Sequence, residues 1–155
     1  MKDLAAIAKV PGLSEVHIGL NDLSMALGMD FLFEPLASGM IDQMASVLRD
    51  AGLPFGFGGV ARVGQGDLPA ELVLGEHVRA ASTAVILSRA FHGGQAAAER
   101  VIVERLNLAE EIAALRSVET RLRQRTPEEV ERDRVRTKEA IEKIAARRKA
   151  REGGA

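Results

Sequence analysis

The first place in this 155-residue chain where chemistry could be done is a short apolar stretch ending in a carboxylate, Val16-His17-Ile18-Gly19-Leu20-Asn21-Asp22. Two further stretches of similar kind follow. Pro54-Phe55-Gly56-Phe57-Gly58-Gly59-Val60 leads to Arg62, and Ala84-Val85-Ile86-Leu87 leads to Ser88-Arg89. If each is a strand of one parallel sheet, the three C-terminal ends meet on one rim, where α/β proteins place their chemistry. That rim offers one carboxylate, a glycine-rich backbone and two guanidinium groups. A hard cation such as Mg2+ takes one or two carboxylates with substrate oxygens and water, so Asp22 is a candidate ligand. Gly58 and Gly59 let backbone N–H groups approach an anion closely. Arg62 and Arg89 can each clamp a carboxylate with two hydrogen bonds. Together these describe a pocket for a small carboxylic acid held against a metal.

Each of these residues also has a plainer role. Asp22 can serve as the N-cap of a helical turn beginning at Leu23, the glycines can serve tight strand packing, and the arginines can be solvated loop cations. His17 alternates with apolar neighbours and reads as packed or hydrogen-bonded. His77 falls on a helix face and reads as a surface residue. His92 lies just past the third strand, beside Gly93-Gly94, within reach of the rim. Gly56-Phe57-Gly58-Gly59-Val60-Ala61 matches a dinucleotide-binding pattern, but Val63 to Asp67 reads as loop where that pattern needs a helix to begin.

The elements that must position these residues follow from periodicity and breakers. A short helix over 2–9 is ended by Pro11-Gly12. A strand over 15–18 is followed by a single helix over 31–51, with Leu36, Ile41, Met44, Val47 and Leu48 as its apolar stripe. Gly52 supplies its left-handed end. A strand over 54–60, a helix over 68–81 and a strand over 83–87 complete the alternation. Val85 and its neighbours form a run apolar on both faces, which suits a parallel strand covered on both sides. Such alternation means a parallel sheet built from right-handed crossovers. Composition changes at Gly93-Gly94, and Ala, Glu, Arg and Leu dominate thereafter. A helix is expected over 96–125. A second opens at Thr126-Pro127-Glu128-Glu129, where Thr126 and Glu129 form a capping box. The basic end at Arg147-Arg148-Lys149-Ala150-Arg151 suits the negative pole of its helix dipole.

Composition bounds the function. A net charge of −1 argues against binding nucleic acid by bulk electrostatics. The absence of cysteine removes disulfides and thiolate chemistry. No window approaches a membrane span, and the first residues lack the apolar run of a signal peptide. A soluble cytoplasmic protein is the expectation.

The segment Val10-Pro11-Gly12-Leu13-Ser14-Glu15-Val16-His17-Ile18-Gly19-Leu20-Asn21-Asp22-Leu23-Ser24 resembles the sixth-strand region of the HpcH/HpaI aldolase and citrate lyase beta-subunit family. Gly19-x-x-Asp22-Leu23 is its core. The likeness continues through Gly56-Phe57-Gly58-Gly59 and Ala84-Val85-Ile86-Leu87-Ser88-Arg89, and covers about residues 4–92. It implies the last three strands of a (β/α)8 TIM barrel over 1–92 and a helical extension over 93–155. It implies a metal-dependent carbon–carbon lyase acting on a 2-oxo acid or related carboxylate. Asp22 would bind Mg2+ or Mn2+, and the Gly19, Leu20 and Asn21 amides would meet the substrate carboxylate.

A full barrel is typically ~250 residues. The family's second metal carboxylate, its enolate-steadying arginine and its catalytic-base region would all precede Met1. An incomplete site with little activity of its own is therefore expected, and no catalytic residue is assigned. The alternatives are a non-catalytic oligomerising α/β module and one half of a split enzyme completed by an N-terminal barrel partner. The thin stripes over 96–146 make those helices candidates for a homo-oligomer contact.

Overall fold

A computed structural model describes residues 2–92 and 107–152. Its element order is α1 (Lys2–Ile7), β1 (Val16–Ile18), α2 (Leu20–Ala26), α3 (Glu34–Ala37), α4 (Met40–Asp50), β2 (Phe55–Val60), α5 (Ala70–Ala80), β3 (Ala84–Leu87), α6 (Leu108–Leu122) and α7 (Pro127–Glu152). The three strands form one parallel sheet in the order β1-β2-β3. The chain is thus α/β, with strands and helices alternating through its first half. Residues 93–106, which include the start of the helix expected over 96–125, lie outside the described residues.

Register decides which side chains share a face. Val16 pairs with Phe55, His17 with Gly56 and Ile18 with Phe57. Ile18, Phe55, Phe57 and Val60 are buried, and helices cover their side of the sheet. His17, Gly56 and Ala84 fall on the other side, where His17, Ala84 and Ile86 are exposed. Among the described residues, strand β3 is therefore not covered on both faces, as its apolar run suggested. Its alternate residues face open space, and Ile86 is 56% exposed.

The β2–β3 register shifts between Gly56 and Gly59, with Gly58 at φ +53. A bulge with a left-handed glycine is the ordinary way to insert a residue into one strand.

Two helix expectations change. The helix expected over 31–51 is two helices, because Ser38 ends α3 and Gly39, at φ +75, restarts the chain as α4. In place of the possible helical turn from Leu23 stands a seven-residue helix, α2. It begins at Leu20, with extended Gly19 as its N-cap, and seven residues are too few to show periodicity.

Helices α6 and α7 pack within the chain. Helix α7 lies on α3 and α5, and α6 lies on α5. Leu115, Val118, Ile141 and Ala145 are buried, the first three each worth about 1.5–3 kcal/mol on the usual scale of apolar burial. The stripes behind the expected intersubunit contact are thus largely used inside the chain; Leu108, Ile112 and Val135 remain exposed. The capping box forms as expected: Thr126 N–H donates to Glu129 Oε2 at 2.9 Å, and Glu129 N–H donates to Thr126 Oγ1 at 3.2 Å.

Candidate functional site

Strand β1 ends at Ile18, Gly19 is extended at φ −73 and ψ 96, and α2 starts at once. Leu20 is fully buried, and its side chain seats this turn on the β2 bulge. A Cβ on Gly58 would stand 2.6 Å from Leu20 Cδ1. A Cβ on Gly56 would stand 2.4 Å from the Ala84 carbonyl oxygen, and one on Gly59 3.0 Å from Ser88 Cβ. Packing alone therefore demands glycine at 56 and 58 and favours it at 59. The dinucleotide pattern finds no helix to open, since β2 runs to Val60 and α5 begins only at Ala70.

The turn and the bulge border one open cleft of about 960 Å³ beyond the carboxyl ends of the strands. Gly19, Leu20, Asn21, Gly58, Gly59, Arg62 and Arg89 all line it. These are the seven residues that sequence and resemblance single out for a small carboxylate, and the fold brings them together.

The two arginines differ. Arg62 is only 22% exposed, with Nη1 3.7 Å from Glu111 Oε1 on α6. Its Nε is buried without a hydrogen-bond partner. Arg89 is exposed. The solvated-cation alternative thus describes Arg89 but not Arg62.

Asp22 does not line the cleft. It is exposed in the first turn of α2, with Oδ2 3.2 Å from where a Cβ on Gly19 would stand. Gly19, not Asp22, is the N-cap, although a carboxylate in the first turn still favours the helix dipole. Among the described residues no three His, Asp or Glu side chains gather as a metal-binding group. Mg2+ takes one or two protein carboxylates with substrate oxygens and water, and Asp22 lies outside the cleft lining.

The histidines sort cleanly. His17 lines the cleft and is hydrogen-bonded through Nε2 to the Gly58 carbonyl oxygen at 3.1 Å, as its alternation suggested. His92 is exposed, packs edge-on to buried Phe91 at 5.4 Å and does not line the cleft. His77 is not on the surface. It is 5% exposed and stacked flat on Phe57, with ring centroids 3.8 Å apart. Burial lowers its pKa to about 3, with His17 adding to the effect and Glu119 opposing it.

Sequence reasoning missed the far side of the cleft. Phe31 and Asp67 line it, and Arg148 near the end of α7 reaches both. The Arg148 guanidinium carbon lies 4.7 Å from the Phe31 ring centroid, and the same group pairs with the Asp67 carboxylate. From sequence Arg148 is only a helix-end cation. No local pattern links residues 81 positions apart, so nothing in the sequence signalled this contact.

Comparison with family models, curated proteins and solved structures yields no match to this chain. No described helix is long and apolar enough to cross a membrane.

Proposed function

We propose that the cleft holds a small carboxylic acid and that the chain forms the last strands of an HpcH/HpaI-type barrel, acting on a 2-oxo acid in a carbon–carbon lyase. One observation carries the reading: the seven residues chosen for carboxylate binding line a single cleft at the carboxyl ends of three parallel strands. The open face supports the barrel. His17, Ala84 and Ile86 occupy the side that a closed barrel turns inward, and β1 and β3 are sheet edges among the described residues. Further strands would cover both.

In this reading Arg62 and Arg89 bind the carboxylate, and amides of the Gly19–Asn21 turn and the Gly58-Gly59 bulge complete its contacts. His17 holds the bulge in place through Gly58. A divalent cation, Mg2+ or Mn2+, belongs to the proposal through the resemblance and would supply Lewis-acid stabilisation of an enolate. Asp22 is the ligand that the resemblance assigns, although its side chain lies outside the cleft lining. The second donor then has to come from another segment or subunit, as in a split enzyme. A cytoplasmic setting, suggested by the lack of cysteine, is part of the same proposal.

The test is an assay of the purified chain with pyruvate, an aldehyde and Mn2+, beside a calorimetric titration of Mn2+. The proposal expects no turnover and only weak metal binding that Asp22→Asn abolishes. An Asp22→Asn isotherm equal to wild type removes the metal from the account, and robust turnover overturns the incomplete site. A second reading, a non-catalytic oligomerising module, is favoured by the exposed Ile86 and by β1 and β3 being sheet edges among the described residues. Sedimentation separates the two. A stable homo-oligomer that ignores pyruvate supports the module.

A further inference from the structure

The cleft is far larger than the smallest acid it could hold. Its volume of about 960 Å³ stands at the top of the ~300–1,000 Å³ range of small-molecule sites. Arg62, Arg89 and the glycine backbone account for one carboxylate at the near wall. Most of the space is left to the remainder of a ligand. Asp67 also lines that space, but its carboxylate is paired with Arg148. Phe31, Phe33 and Leu68 border it with side chains that the core buries. The apolar surface a ligand can reach comes from half-buried Leu32 and from Ile86, which is 56% exposed.

Register places Ile86 beside the carboxylate end of the cleft. Ile86 pairs with Gly59 across β2 and β3. Paired strands lie about 4.8 Å apart, and Gly59 has no side chain to stand between. A chain of a few carbons running from a carboxylate at the Gly58-Gly59 bulge therefore reaches the Ile86 side chain. Ile86 is the last residue but one of β3, so it borders the rim itself rather than the middle of the sheet.

We propose that the acid held in this cleft is a 2-oxo acid with an aliphatic side chain, its carboxylate at Arg62 and Arg89 and its chain laid on Ile86. The inference rests on the carboxylate reading of the cleft and names the substrate class within it. Covering Ile86 removes apolar surface from water, a gain that pyruvate, with a single methyl beyond its carbonyl, realises least.

Pyruvate and 4-methyl-2-oxopentanoate are matched probes that differ only in the aliphatic chain. Calorimetric titration of the full chain is expected to give at least about fivefold tighter binding of 4-methyl-2-oxopentanoate. One fully buried methylene is worth about fourfold, and Ile86 covers the added carbons on one side only. Ile86→Thr keeps a β-branched residue at this exposed strand position and is expected to cut the ratio below about twofold. Equal wild-type affinities overturn the proposal, as does a ratio that folded Ile86→Thr leaves unchanged. If both acids bind alike and Arg62→Met/Arg89→Met loses both, the carboxylate reading stands and this assignment alone falls. If neither acid binds the folded wild type, both fall. The wild-type comparison decides the matter even if Ile86→Thr fails to fold.

Discussion

Nε2 of His17 lies 3.1 Å from the carbonyl oxygen of Gly58, tying the first strand to the bulge of the second across the open face of the sheet. The contact exists because Gly56, between them, has no side chain. A Cβ there would stand 2.7 Å from His17 Nδ1 and 2.4 Å from the Ala84 carbonyl oxygen.

Gly56→Ala is therefore expected to destabilise the chain by about 2–3 kcal/mol, because the obstacle is backbone and cannot rotate away. Gly64→Ala is the matched control. Gly64 has φ +74 but nothing within 4 Å of its would-be Cβ, so only the left-handed penalty of about 1 kcal/mol applies. Urea melts of both variants check the difference. Equal losses would contradict the packing argument.

Helix α5 ends on a residue that its conformation does not suit. Ala81 has φ 58, and the Ser82 N–H bonds to the His77 carbonyl oxygen at 2.9 Å in a Schellman-type end. Glycine is favoured at that position. Ala81→Gly is expected to raise stability by about 0.5–1 kcal/mol, the left-handed strain relieved less the entropy cost of glycine. A urea midpoint that falls instead would contradict it.

His77 makes stability depend on pH. Its folded pKa of about 3 lies below the ordinary 6.5, so between these values the unfolded chain takes up the proton and the folded chain does not. Stability therefore falls as pH falls below about 6.5, with a slope of up to about 1.4 kcal/mol per unit. Glu119, held ionised chiefly by Arg123 and then Arg116, starts to lose its contribution only as pH falls through the ordinary carboxylate value of 4.5. Urea melts from pH 6.5 to about 4.5 thus isolate the histidine. His77→Phe keeps the stack on Phe57 and is expected to flatten the slope in that window; an unchanged slope would assign the effect elsewhere.

Much of this was legible in the sequence where the cause is local. Apolar runs gave the three strands, and Thr126 with Glu129 gave the start of α7. The cleft's near wall was legible too, because parallel strands bring Asn21, Gly59, Arg62 and Arg89 to one rim by topology alone. What failed to show depends on contacts distant in sequence. His77, expected at the surface from its place on a helix, is buried beside Glu76, whose carboxylate pairs with Arg79, itself paired with Asp42. Arg148 at Phe31 and Glu111 at Arg62 are set by where α6 and α7 dock. The helix break at Gly39 turns on one left-handed residue, which periodicity does not see.

The central claim is that the cleft binds a small carboxylate through its arginines. Calorimetric titration of pyruvate into the wild-type chain and into the Arg62→Met/Arg89→Met double variant tests it most directly. The expected result is saturable binding by wild type that weakens at least about tenfold in the variant, as loss of charge-assisted hydrogen bonds requires. The same isotherm from both proteins, or no pyruvate binding by the folded wild type, would contradict it.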